Sequence, residues 1–149
     1  MPDLTETIAV AAPASVLYDL VSDLPRMGEW SPECTGVTWN SRTPGPAVGA
    51  RFVGRNRSGF VRWPTQGRVL EADPGRRFSF EIFFGPLQVA LWSYDFTVTD
   101  GGCEVTESWT DRRPLVLSLP MNTIVGDRVK INQHGIRTTL ERLKAAAES

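Results

Sequence analysis

Apolar and polar positions fall into short patterned segments whose period changes from strand-like to helical and back along the chain. Thr5 to Val10 reads as a short strand. Ala12-Pro13-Ala14-Ser15 then opens a helix, with proline near its first turn and Val16, Leu17, Leu20 and Val21 at helical spacing. This helix is expected to end before Pro25, and a second short turn runs to Trp30. Gly36 to Asn40 reads as a strand, followed by a loop rich in proline and glycine from Thr43 to Gly49.

The next strands can be phased against one another by their turns. With Ser58-Gly59 as a two-residue hairpin turn, Gly54 is expected opposite Trp63 and Phe52 opposite Thr65, with Asn56 beside Val61 on the same inward face. A large ring covering a strand glycine is a familiar pairing. After the turn at Asp73-Pro74-Gly75, Phe78, Phe80 and Ile82 alternate with Ser79, Glu81 and Phe83, and the first set is expected to face inward. A loop at Gly85-Pro86-Leu87 brings Phe80 near Trp92 and Phe78 near Tyr94, on a strand whose inward set is Ala90, Trp92, Tyr94, Phe96 and Val98. Beyond the Asp100-Gly101-Gly102 turn, Val105, Glu107, Trp109 and Asp111 share one face.

After Pro114 and Pro120, one final helix is expected to run to about Ala147, with Met121, Val125, Val129, Asn132, Ile136, Leu140 and Leu143 near one stripe. Antiparallel strands with helices segregated to one face make an α+β architecture.

At 149 residues the chain fits one domain spanning 1–149, large enough for a core and a pocket. Sixteen basic and seventeen acidic residues nearly cancel, so no global field favours nucleic acid or an anionic membrane surface, and such a partner needs a local patch. The acidic start Met1-Pro2-Asp3-Leu4-Thr5-Glu6 lacks a basic region and an apolar run, and no stretch approaches the ~18 apolar residues of a span, so a cytoplasmic protein is expected. Cys34 and Cys103 are far apart and His134 is the only imidazole, which suggests free thiols and no metal site. GxSxG, GxGxxG and P-loop patterns are absent, against a serine hydrolase elbow, a nicotinamide fold and an NTPase.

Several motifs carry a family resemblance. They are Ala12-Pro13-Ala14-Ser15-Val16-Leu17-Tyr18 after the opening strand, Asp23-Leu24-Pro25-Arg26-Met27-Gly28-Glu29-Trp30-Ser31-Pro32-Glu33-Cys34, and Val48-Gly49-Ala50-Arg51-Phe52. Asn56-Arg57-Ser58-Gly59, Trp63, Glu71-Ala72-Asp73-Pro74-Gly75-Arg76-Arg77-Phe78, Trp92-Ser93-Tyr94 and Val105-Thr106-Glu107-Ser108-Trp109 add to them. Over almost its whole length the chain resembles the polyketide cyclase/dehydrase branch of the START-like (SRPBCC, helix-grip) superfamily. That resemblance implies a curved antiparallel seven-stranded sheet around a long C-terminal helix, two short helices after the first strand, and an apolar cavity between sheet and helix. Cyclases, hydrolases, carriers and regulatory binders share such backbones, so it supplies no catalytic set to carry over.

Glu107 is the outlier among the inward residues, a carboxylate between Val105 and Trp109. A buried carboxylate has a raised pKa and acts as acid or base near neutrality, and the phasing places it near Tyr94 or Phe96. The structural alternative is an ion pair with Arg128 or with an arginine of the early strands. Asn56 faces inward, able to bond a ligand oxygen or, alternatively, to cap its own turn. Arg128 lies about one turn from Val125 and Asn132, able to enter the cavity or to snorkel outward. His134 falls off the apolar stripe and is expected to be exposed, and Asp111 is expected at a solvated rim.

The leading expectation is a domain that binds a hydrophobic or aromatic small molecule without a cofactor. Trp30, Asn56, Trp63, Phe80, Trp92, Tyr94, Trp109, Met121 and Val125 are its expected binding residues. The rival is an enzyme in the same cavity, catalysing aldol-type cyclisation or dehydration with Glu107, Tyr94 and Arg128. A third class is a regulatory module: Arg55, Arg57 and Arg62 share an outer face that suits an acidic partner, with Arg51 and Arg68 nearby and Glu81 placed to pair with Arg68. Phe60, Phe83, Val89 and Leu91 point outward by phase and suggest a homodimer contact.

Overall fold

The computed structural model describes residues 1–149, apart from the side chains of Leu115, Leu117, Leu119 and Val125. Seven antiparallel strands form one open sheet: β1 (Leu4–Val10), β2 (Cys34–Trp39), β3 (Arg51–Ser58), β4 (Val61–Asp73), β5 (Arg77–Phe84), β6 (Leu87–Thr99) and β7 (Gly102–Asp111), in the order β1-β7-β6-β5-β4-β3-β2. The order is a meander from β2 to β7, with β1 added beside β7. Irregularities between Cys34 and Gly36, Val69 and Glu71, and Ile82 and Phe83 interrupt the ladders, where extra residues bend a strand and increase its twist. Between β1 and β2 lie α1 (Ala14–Ser22) and a 3-10 helix (Leu24–Glu29). Helices α2 (Leu115–Val125) and α3 (Arg128–Glu148) follow β7.

The expected single C-terminal helix is two helices, for a local reason. Gly126 has φ +88, a conformation that ends a helix, and the Asp127 side chain accepts from the backbone N–H of Val129 and Lys130 to cap the next one. Asn132, Ile136, Leu140 and Leu143 form the buried stripe of α3 as expected, joined by Thr139, whereas Val129 at the first turn is exposed. α3 packs on β1, β7 and α1, closing a core that includes Leu17, Val105 and Phe78. No helix among the described residues is long and apolar enough to cross a membrane.

One turn differs from expectation. Ser58 pairs with Val61, so the two-residue turn is Gly59-Phe60 rather than Ser58-Gly59, because the positive φ falls on Gly59 and such turns need it at their first central position. Asn56 therefore faces Trp63, Gly54 faces Thr65 and Phe52 faces Gly67. A slip of two residues keeps every side chain on its face. The ring-over-glycine pairing recurs at a different place, with Phe52 covering Gly67.

The other ladders match the phasing: Phe78 faces Tyr94, Phe80 faces Trp92, and Tyr94 faces Glu107. Val98, at the end of β6, is exposed rather than inward. On β5 both faces are covered, since Ser79 and Glu81 are buried with Phe78 and Phe80. Phe83, Val89 and Leu91, expected outside, are half-buried. Val89 is the extra residue of the β5–β6 irregularity and turns toward the core.

Candidate functional site

The inner face of the sheet and the helices enclose a cavity of about 470 Å³. Trp63, Phe80, Trp92, Tyr94 and Trp109 lie on its wall, brought together because they occupy inward positions on the consecutive strands β4 to β7. Met121 of α2 and Arg128 of α3 also line it. Trp30 does not. Its ring is buried outside the cavity under Arg26, with Cζ 5.1 Å from the ring centroid, at the C-terminal cap of the 3-10 helix. The backbone carbonyl of Trp30 accepts from Thr139 and Arg142 of α3. The Val125 side chain lies outside the described residues.

Glu107 is 2% exposed and has one hydrogen-bond partner, the Tyr94 hydroxyl, which donates to Oε2 at 2.7 Å. Oε1 is buried with no partner. Burial pushes the carboxyl up to about 8, against the opposing effect of the Tyr94 hydrogen bond. Burial, with the nearby Glu107 charge, holds the Tyr94 hydroxyl well above the ordinary tyrosine range. Near neutral pH the pair is therefore a carboxylic acid and a phenol, both uncharged, on an apolar wall. Cys34, a free thiol raised by burial, also lines the cavity.

Arg128 is not the partner of Glu107. Its guanidinium reaches both carboxylate oxygens of Glu33, bonds Oδ1 of Asn132 at 2.9 Å, and stacks over Trp63 with Cζ 5.8 Å from the ring centroid. It is largely buried, so neither the ion pair with Glu107 nor the snorkelled position describes it. Asn56 donates from Nδ2 to Thr65 Oγ1 at 3.2 Å and to the Trp63 carbonyl at 3.4 Å, which ties it to β4 in the cavity wall rather than to its own turn. His134 is exposed and belongs to the cavity mouth, where Nε2 lies 3.5 Å from Thr138 Oγ1.

Sequence reasoning missed two contributors. Glu33 lies in the irregular link before β2, ninety-five positions from Arg128, with no periodicity to place it. Arg113 follows β7, its side chain 5% exposed, donating to both oxygens of Asp111 and to Asn122 Oδ1 at 3.0 Å. The two-residue spacing of Asp111 and Arg113 was the available signal. Asp111 is half-buried at the strand end, as expected for a rim. On the outer face Arg68 donates to Glu81 at 2.8 Å. Arg55, Arg57 and Arg62 are exposed and, among the described residues, form no ion pair.

Comparisons with known proteins agree with this architecture. The family model described as polyketide cyclase / dehydrase and lipid transport matches residues 1–148. No curated protein matches the sequence. Among solved structures, the di-domain ARO/CYC StfQ from the steffimycin biosynthetic pathway aligns with a TM-score of 0.78 at 15% identity, covering 97% of this chain and 50% of StfQ. The chain thus spans half the length of that protein. CV1439 from Chromobacterium violaceum aligns at 14% identity with a TM-score of 0.72, covering 100% of this chain and 99% of its own. Likeness at that level shows the fold. The polyketide-cyclase-like protein Cgl2372 from Corynebacterium glutamicum is 30% identical, with 97% of this chain and 88% of its own covered and a TM-score of 0.57. With the family model spanning the chain and this relative alongside it, the protein belongs to the polyketide cyclase/dehydrase and lipid-transport family.

Proposed function

We propose that the cavity binds one uncharged, largely aromatic small molecule that presents a hydrogen-bond acceptor, such as a carbonyl oxygen, to Glu107. The observation that carries this reading is Glu107 Oε1, buried and unpartnered in the wall of a largely apolar cavity. A neutral carboxyl whose Oε2 is taken by Tyr94 has its remaining O–H to offer, and an unmet buried polar group is stabilised by a ligand that meets it. Of the arginines that line the cavity, Arg128 is paired with Glu33 and Arg113 with Asp111, and Arg62, without an ion pair among the described residues, stands near the tip of the β3–β4 hairpin rather than on the strands that carry Tyr94 and Glu107. The cavity volume falls within the ~300–1,000 Å³ usual for small-molecule sites. Trp63, Phe80, Trp92, Trp109 and Met121 supply apolar area, and Asn56 supplies a second polar contact.

Native mass spectrometry of the protein from its own host, against a denatured sample, tests this reading. A reproducible extra mass that is a neutral carbonyl or phenolic compound supports it. A co-purified fatty acid or other anion overturns the neutral-ligand assignment.

A second reading, catalysis of dehydration in the same cavity, is favoured by the raised pKa of Glu107. In a β-hydroxy carbonyl compound, Glu107 would protonate the departing hydroxyl, which leaves as water. The resulting carboxylate, held by Tyr94, would take the proton from the carbon between the two groups, leaving the unsaturated carbonyl and restoring the acid. The alignment with StfQ, an ARO/CYC protein by its description, is the reason to test it. Turnover by wild type that Glu107→Gln abolishes without loss of affinity supports the enzyme, and binding without turnover by wild type supports the carrier.

A further inference from the structure

We infer that the mouth of the cavity docks on an anionic lipid bilayer surface, with Phe60 inserted and Arg55, Arg57 and Arg62 against the headgroups. The hairpin formed by β3 and β4 outruns its neighbour: β5 meets β4 from Asp73 back to Gln66, and from Thr65 to Val61 β4 pairs with β3 alone. At the free tip Phe60 is fully exposed. Val61 next to it lines the cavity, as do Phe84 at the end of β5 and Ile124 on α2, which are themselves 48% and 64% exposed. Three separate elements therefore present apolar side chains around one opening.

The charge beside them has one sign. Arg57 and Arg62 face each other across the hairpin, three positions before and two after Phe60, and Arg55 continues the same outer face. Like charges directly opposite one another are unfavourable in a sheet. Among the described residues none of the three has a carboxylate partner, while the chain as a whole carries a formal charge of −1. The positive field is local and sits at the opening. A phenyl ring flanked by arginines suits a fluid interface, where the ring lies at headgroup depth and the guanidinium groups reach phosphate. An acidic protein would answer the arginines but leave Phe60 in need of a matching pocket. That an apolar ligand partitions into bilayers, and would enter from one, rests on the binding reading. The docking surface stands without it.

Sedimentation with vesicles tests the inference, using phosphatidylcholine mixed with phosphatidylglycerol against phosphatidylcholine alone. Wild type is expected to sediment with the anionic vesicles, less so as salt rises, and only weakly with the neutral ones. Phe60→Ser should weaken anionic-vesicle binding about tenfold, since it removes the largest apolar group from the contact. Arg55→Glu with Arg57→Glu should weaken it by at least about fivefold for each charge. Unchanged melting temperatures for the variants, expected because these side chains are exposed, assign the losses to docking. Wild type failing to sediment with anionic vesicles overturns the inference. So does Phe60→Ser binding at wild-type level, the behaviour of a purely electrostatic site for an acidic protein. A solution dimer that Phe60→Ser dissociates also overturns it, by giving the ring another occupant. Failure of the cavity reading is separate, since it is read from bound mass and not from sedimentation.

Discussion

Tyr94 and Glu107 face each other across the β6–β7 ladder, joined by a 2.7 Å hydrogen bond that satisfies only one of the two carboxyl oxygens. A buried acid kept half-satisfied is costly to the fold, and the cost depends on pH in a way that can be measured.

The folded protein holds the Glu107 proton to about pH 8, whereas an ordinary glutamate releases it near 4.5. Stability from this group is complete below pH 4.5, falls as the unfolded chain ionises, and is lost by pH 8, by about 5 kcal/mol in all at ~1.4 kcal/mol per pKa unit. Glu107→Gln removes that slope. The variant should melt above wild type at pH 8 and close to it at pH 4.5, by calorimetry. A variant destabilised more at pH 8 than at pH 4.5 would mean that Glu107 is charged and paired in the folded state.

Tyr94→Phe removes the one bond that lowers the Glu107 pKa. Its titration, followed by carboxyl carbon NMR, should move further up, and the fold should lose about 1–3 kcal/mol for the oxygen left unmet. An unshifted titration would show that the hydroxyl does not favour the carboxylate form.

This pair was legible in the sequence because strand alternation and turn positions fix cross-strand neighbours over long stretches. The two-residue slip at Gly59-Phe60 did not matter, since it preserved parity. Legibility ended where periodicity did. Trp30 follows a 3-10 helix, whose short turn gives no stable face to extrapolate, and Glu33 lies in an irregular link. The apolar stripe continues from Met121 into α3, masking the break that Gly126 and Asp127 encode.

Arg128 and Glu33 form a largely buried pair, and removing one partner strands the other. In a double-mutant cycle with Arg128→Met and Glu33→Gln, the singles should cost more together than the double variant. The coupling energy should be about 1–3 kcal/mol by denaturant unfolding. Arg128→Met should be the costlier single, because Arg128 also holds Asn132. Additive losses would mean that the pair contributes nothing beyond its separate contacts.

Gly67 leaves the space that the Phe52 ring occupies, and a Cβ there would lie 2.1 Å from Phe52 Cζ. The ring cannot slide freely, because Trp39 and Phe80 meet it edge-on, each with a centroid separation of 5.7 Å. Gly67→Ala should therefore destabilise by about 1–3 kcal/mol, as overpacking does. Phe52 and Phe80 both line the cavity, so the displaced ring should also weaken ligand binding. Phe52→Leu placed in the Gly67→Ala background should recover part of the stability, a non-additivity expected only of side chains in contact. Gly101→Ala, where a Cβ meets nothing within 4 Å, is the matched control and should stay within about 0.5 kcal/mol of wild type. If Gly67→Ala were as mild as that control, the ring would have room to move, and the cavity wall at Phe52 would be plastic rather than fixed.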